Sequence, residues 1–169
     1  MKKLMVVTTA ILAMAYTAMG DTIDKASTLL KGFEGFRPSV YKCEADKDTI
    51  GYGFTSKELI AKGRMTEEEA SVELKRICEG IAKNLRAELG NGNTLTASEE
   101  AAIVSFIYNV GWYNFKTSTL CRLLKEGKRG AVIGVEIRRW VYVTKGGKKV
   151  ASKGLANRRD KEAMMFLVG

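Results

Sequence analysis

The chain has 169 residues, with 28 Lys and Arg against 19 Asp and Glu and no His. That length fits one ordinary domain, and 46% hydrophobic with 28% charged residues excludes wholesale disorder. Without His there is no His-based triad and no His metal site, so chemistry near neutral pH falls to carboxyl, thiol, hydroxyl or amine groups. A net charge of +9 favours an anionic partner, whether nucleic acid, acidic membrane or acidic cell-wall polymer. The densest basic run, Lys145 to Lys149, is broken by Gly146-Gly147 and reads as a solvated face as readily as a polyanion site. Cys43, Cys78 and Cys121 are an odd set, so at most one disulfide forms within a monomer. Their spacing matches no zinc pattern, and neither a metal nor a cofactor is expected.

Lys2 and Lys3 precede a stretch, Leu4 to Gly20, that carries no charge, and Asp21 closes it. A basic start, an apolar middle and Ala18-Met19-Gly20 read as an export segment over 1–20, ahead of a domain over 21–169. The uncharged stretch sits at the lower limit of a membrane span of roughly 17–25 residues. Its many Ala, Thr and Gly make it only weakly apolar, so entering and leaving a bilayer is not prohibitive. The competing reading is a buried core helix.

Ile23, Ala26, Leu30 and Phe33 recur at helical spacing, with Asp21 or Thr22 as the cap and Gly32 and Gly35 bracketing the end. Ser39 to Cys43, a polar turn Glu44 to Asp48, and Thr49 to Gly53 read as a small β-hairpin. Thr66-Glu-Glu-Glu69 and Thr96-Ala-Ser-Glu99 are capping boxes. They open helices to about Leu89 and Val110, the second stopped by Gly111. Shorter helical patterns fall near 118–126, 130–141 and 157–167. One hairpin followed by helices makes the fold class α+β.

Glu34 stands out at the end of the first helix, between Gly32-Phe33 and Gly35-Phe36. The negative pole of a helix and two aromatic neighbours favour the neutral acid, hence a proton donor. A plain surface Glu is the alternative. Glu34-Gly-Phe-Arg37, Tyr41-Lys42 and Thr49-Ile-Gly-Tyr-Gly53 resemble the start of phage-type lysozymes, glycoside hydrolase family 24. Phe106 to Trp112, Asn114-Phe115, Ser118-Thr-Leu120, Arg139-Trp140 and Gly154 to Arg159 resemble the helical lobe of that family, in order. The resemblance covers about residues 22–168. It implies a lysozyme-like fold, with a small N-terminal hairpin lobe and a mainly helical C-terminal lobe.

The resemblance further implies hydrolysis of the β-1,4 bond between N-acetylmuramic acid and N-acetylglucosamine in peptidoglycan, during host lysis. Glu34 would be the acid. Cys43 stands where the family usually has Asp, and Thr49 keeps the family's Thr. Together they would orient a water, with Thr49 as hydrogen-bond partner; an ordinary thiol is mostly protonated at pH 7 and a poor base. Glu44, Asp46 or Asp48 would substitute only if the hairpin slipped. Gly53, Thr55, Tyr108 and Asn109 match positions lining the sugar cleft. Arg158 matches the arginine that pairs with the acid, and Arg159 would take that role if the alignment shifted by one. Trp112 and Trp140 read as core rather than sugar platform.

The N-terminus resembles that of signal-arrest-release endolysins, which implies an inner-membrane tether through residues 4–20 before release, and a periplasmic site of action. A monomer is expected, and nucleic acid is not an expected partner. Oxidation joining Cys43 to Cys78 or Cys121 would block the site. A Cys78–Cys121 bond, or two buried thiols, is the plainer reading. Competing functions are a lytic transglycosylase giving 1,6-anhydro products, suited to a single carboxylate, and a catalytically silent cell-wall binder.

Overall fold

The computed structural model describes residues 19–43 and 46–169. The expected export segment, apart from residues 19 and 20, and Glu44 in the first turn lie outside the described residues. Helix α1 is already formed at residue 19 and runs to residue 34. Ile23, Ala26 and Leu30 are its buried face, as the spacing predicts, while Phe33 is half-buried. The expected caps are corrected, because α1 passes straight through Asp21 and Thr22. The Thr22 hydroxyl instead donates to Glu100 Oε2 at 3.1 Å, and Arg86 grips both oxygens of Glu100 at 2.7 and 2.6 Å. At the other end Gly35, with φ at +66°, donates its N–H to the Lys31 carbonyl at 3.2 Å and stops the helix.

Strands β1 (Arg37–Lys42) and β2 (Asp48–Gly51) form the expected hairpin. Tyr41 faces Thr49 and Lys42 faces Asp48. Asp48 pairs with Lys42 Nζ at 3.1 Å on the exposed side. Between Arg37, which faces Gly51, and Tyr41 the register shifts, and at the turn end Asp48 is held by Lys42. A short helix, α2 (Lys57–Ala61), which no sequence signal had suggested, leads into α3 (Glu67–Leu89). Both Thr66 and Thr96 form full capping boxes, and α4 (Ala97–Val110) ends at Gly111 as expected.

Every residue from Glu100 to Ile107 in α4 is buried, so this helix is the axis of the larger lobe. Helix α5 (Trp112–Lys116) was not foreseen, whereas α6 (Thr119–Lys125) falls where expected. Helix α7 (Ala131–Arg138) is shorter than its pattern. After it comes a second hairpin, β3 (Tyr142–Lys145) with β4 (Lys148–Ala151), which corrects the one-hairpin expectation. Its turn is Gly146-Gly147, both at positive φ. Ser152 then caps α8 (Lys153–Leu167), which begins earlier than its apolar pattern and packs on α4 and α7. Among the described residues no helix is long and apolar enough to cross a membrane.

Cys78 on α3 and Cys121 on α6 are buried thiols and are not joined to each other. Burial pushes the Cys78 thiol from its ordinary 9.0 up to about 12, and raises Cys121 as well. In the folded state Cys78 stays neutral while the unfolded chain ionises, so its contribution is complete below pH 9 and is lost as pH rises towards 12. We therefore expect the melting temperature to fall between pH 9 and 11, and to fall less steeply in Cys78→Ala. Thiol labelling should spare Cys78 and Cys121 until denaturant is added; rapid native labelling of either would contradict this packing.

Candidate active site

The end of α1 places Glu34 beside the loop that closes the first hairpin. Ile50 and Phe54 exchange backbone hydrogen bonds at 3.0 and 2.8 Å, forcing residues 51–53 into a tight turn. Gly51 and Gly53 carry φ of +65° and +93° there. A methyl group on Gly51 would lie 2.6 Å from the Phe54 ring, and one on Gly53 would lie 3.4 Å from Glu34 Oε2 and 3.8 Å from the Tyr108 hydroxyl. Gly53 thus lets the backbone approach the carboxyl. We expect Gly51→Ala to cost about 2 kcal/mol or more, through clash and backbone strain. Gly53→Ala should cost less stability yet lower the lytic rate, as thermal melts and turbidity clearance would show.

Tyr108 on α4 donates its hydroxyl proton to the Tyr52 carbonyl at 2.8 Å, tying the loop to the helical lobe. Burial, with the neighbouring Glu34 charge second, holds its phenol above the ordinary value. It remains a neutral donor.

Across the lobe boundary, Arg158 Nη1 donates to Glu34 Oε1 at 2.6 Å. Its guanidinium lies 4.7 Å from the centre of the Phe33 ring, a favourable stacking of cation on ring. Arg158 therefore reaches Glu34, and Arg159 does not take that place. Arg159 turns the other way, to Glu162, to Asn109 Oδ1 and to the Trp140 carbonyl.

Cys43 is half-buried at the end of β1, and its backbone N–H donates to the Lys47 carbonyl at 3.0 Å. The buried Thr49 hydroxyl donates to that same carbonyl at 3.0 Å. The hydroxyl proton of Thr49 is thus given to the backbone, and its oxygen remains an acceptor.

Residues 31–162 match the model of the phage lysozyme family. The chain belongs to the phage lysozyme family. This phage lysozyme is 34% identical over 157 residues to the SAR-endolysin of Bacteriophage PS119, covering 89% of each chain. It is 31% identical over 143 residues to the endolysin of Acyrthosiphon pisum secondary endosymbiont phage 1, covering 85% of this chain and 95% of the relative. Among solved structures, the endolysin from Escherichia coli O157:H7 phage FAHEc1 superposes with a TM-score of 0.73 at 30% identity, covering 85% of this chain and 90% of that one.

In this phage lysozyme Gly53, Thr55 and Tyr108 line one hollow of about 440 Å³, together with Ile77, Asn84 and Trp112. Asn109, the next residue on α4, opens instead into a larger hollow of about 620 Å³, beside Trp140, Tyr142 and Lys149. The two adjacent residues therefore serve separate spaces. Asp46 and Asp48 line a third hollow with Thr55. Trp112 and Trp140 are half-buried and packed against the core, on Phe115 and Phe106, and each also borders a hollow.

Ser105 and Glu162 were missed by sequence reasoning. Both are fully buried, Ser105 Oγ donates to Glu162 Oε1 at 2.7 Å, and Arg158 Nε donates to the same oxygen at 3.1 Å. The available signal was helical spacing. Arg158 and Arg159 stand one turn before Glu162, on the face that carries Ala163 and Phe166.

Proposed function

We propose that the chain is an exported endolysin that hydrolyses the β-1,4 bond between N-acetylmuramic acid and N-acetylglucosamine in peptidoglycan, with Glu34 as the general acid. The observation that carries the reading is the asymmetry of the Glu34 carboxyl. Oε1 accepts from Arg158, and Oε2 lies against Gly53 near the Tyr108 hydroxyl. The proton needed by a leaving glycosidic oxygen then sits on Oε2, beside the Gly53 and Tyr108 that line one hollow, while Arg158 fixes the plane of the carboxyl. A positioned acid of this kind is worth roughly 10²–10⁴-fold in rate.

The oxocarbenium-like transition state also needs a water on the other face of the sugar. Cys43 and Thr49 orient it in this reading. With its own proton given to Lys47, the Thr49 oxygen offers a lone pair to that water. Gly53, Thr55 and Tyr108 hold sugar on one side of the boundary and Asn109 on the other. Lys2-Lys3 followed by the uncharged stretch 4–20, together with relatives named SAR-endolysins, supports a chain held at the inner membrane before release and acting on the wall from the periplasm.

Cys43 in place of a second carboxylate favours one rival, a lytic transglycosylase. Mass analysis of the products from purified peptidoglycan separates the two. We expect each cut to add one water, with inversion at the sugar carbon in the first product. Anhydro products would establish the rival, and initial retention would assign Cys43 to nucleophilic attack.

A further inference from the structure

Each nitrogen of the Arg158 guanidinium is committed. Nη1 donates to Glu34 Oε1 at 2.6 Å, Nε to Glu162 Oε1 at 3.1 Å and Nη2 to the Ser105 carbonyl at 3.2 Å. Glu162 is wholly buried, and both its oxygens are occupied: Oε1 by Ser105 Oγ and Arg158 Nε, Oε2 by Arg159 Nη1. Arg159 is anchored in turn by Asn109 and the Trp140 carbonyl. Glu34 and Glu162 thus face Arg158 and Arg159 as a charge-balanced cluster spanning α1, α4 and α8.

We infer that Glu162 is a positioning residue for the reaction: it shares the charge of Arg158 with Glu34, and so governs how firmly Glu34 keeps its proton. The inference rests on Glu34 being the acid. An arginine facing one carboxylate alone favours its ionised form by the full opposite-charge effect; an arginine already engaged by a second carboxylate does so less. Burial pushes the Glu162 carboxyl above the ordinary carboxylate range, against the pull of both guanidiniums. The donors aimed at its two oxygens are the set that an ionised carboxylate accepts.

The other groups around the cluster are Lys161 over Phe33 on α8, Tyr108 on α4, Tyr41 on β1 and Cys78 on α3. Ammonium, phenol and thiol groups titrate in the alkaline range. The Arg138–Asp160 pair lies on the exposed side of α8. In the acid-to-neutral range the cluster therefore responds through its two carboxyls.

The test is the pH profile of kcat/KM on purified peptidoglycan, read with native content by circular dichroism. Glu162→Gln leaves a surplus positive charge, and its alkaline limb should move to lower pH by about one unit. Arg159→Met leaves buried Glu162 with one guanidinium: if it stays ionised it draws Arg158 more strongly and the limb moves to higher pH, and if it takes up a proton it frees Arg158 and the limb moves to lower pH. A downward shift in Glu162→Gln with a displaced limb in Arg159→Met is the signature; a merely structural role lowers the active fraction in both variants and moves neither limb. Unmoved limbs, or an upward shift in Glu162→Gln, overturn the inference. If Glu162→Gln does not fold, Arg159→Met decides alone: a displaced limb supports the inference, and an unmoved one overturns it. Glu34→Gln separates this from the parent reading. Full lysis by that variant defeats the acid assignment, whereas a dead Glu34→Gln with unmoved limbs defeats only the role of Glu162.

Discussion

Glu34→Gln should reduce clearance of peptidoglycan by about 10³-fold while the protein stays folded. The amide oxygen still accepts from Arg158, so the cross-lobe bond survives in neutral form. Only the transferable proton is lost. A melting temperature within a few degrees of the parent, together with lost turbidity clearance, is the expected pair of results. Undiminished lysis by a folded variant would remove the carboxyl from the mechanism.

Arg158→Ala should be the more damaging change to the fold. It removes the one cation that, among the described residues, pairs with Glu34, and takes a donor from buried Glu162. Breaking a buried pair from one side costs about 3–5 kcal/mol. For a chain of this size that is a drop of roughly 10 °C in melting temperature. Arg139→Ala is the control: Arg139 also pairs with a Glu one helical turn away, but its side chain is 70% exposed. Its melting curve should overlay that of the parent, because solvent already screens the pair. Comparable losses in both variants would show that burial does not set the worth of these arginines.

What the sequence makes legible is whatever its neighbours in sequence decide. The boxes at Thr66 and Thr96 are local hydrogen-bond devices, and α3 and α4 begin where they say. The fate of Thr22 is decided by Glu100, which no local rule connects to it. It looks like a cap and is instead a tertiary contact. The second hairpin was hidden by its charge. The broken basic run Lys145 to Lys149 contains a two-glycine turn, which is a hairpin signal in its own right. Five-residue helices such as α2 and α5 are too short to show a period. At the site, resemblance selects Glu34 and Arg158 as partners, and geometry brings them together. The Ser105–Glu162 contact behind them joins α4 to α8 across most of the C-terminal half and leaves no mark in either segment alone.

Helix α1 is seated at one end and carries the proposed acid, Glu34, at the other. Thr22 is locked to Glu100 in the helical lobe, and Glu34 sits about 18 Å further along the axis. A rod of that length magnifies error: a tilt of roughly 5° at the seat swings the tip by about 1.5 Å. A misplacement of about 1 Å is enough to forfeit some 10²-fold in rate. With Glu34 as the acid, the threonine socket is an aiming device, and the calibration of this enzyme is held well away from the sugar it cuts.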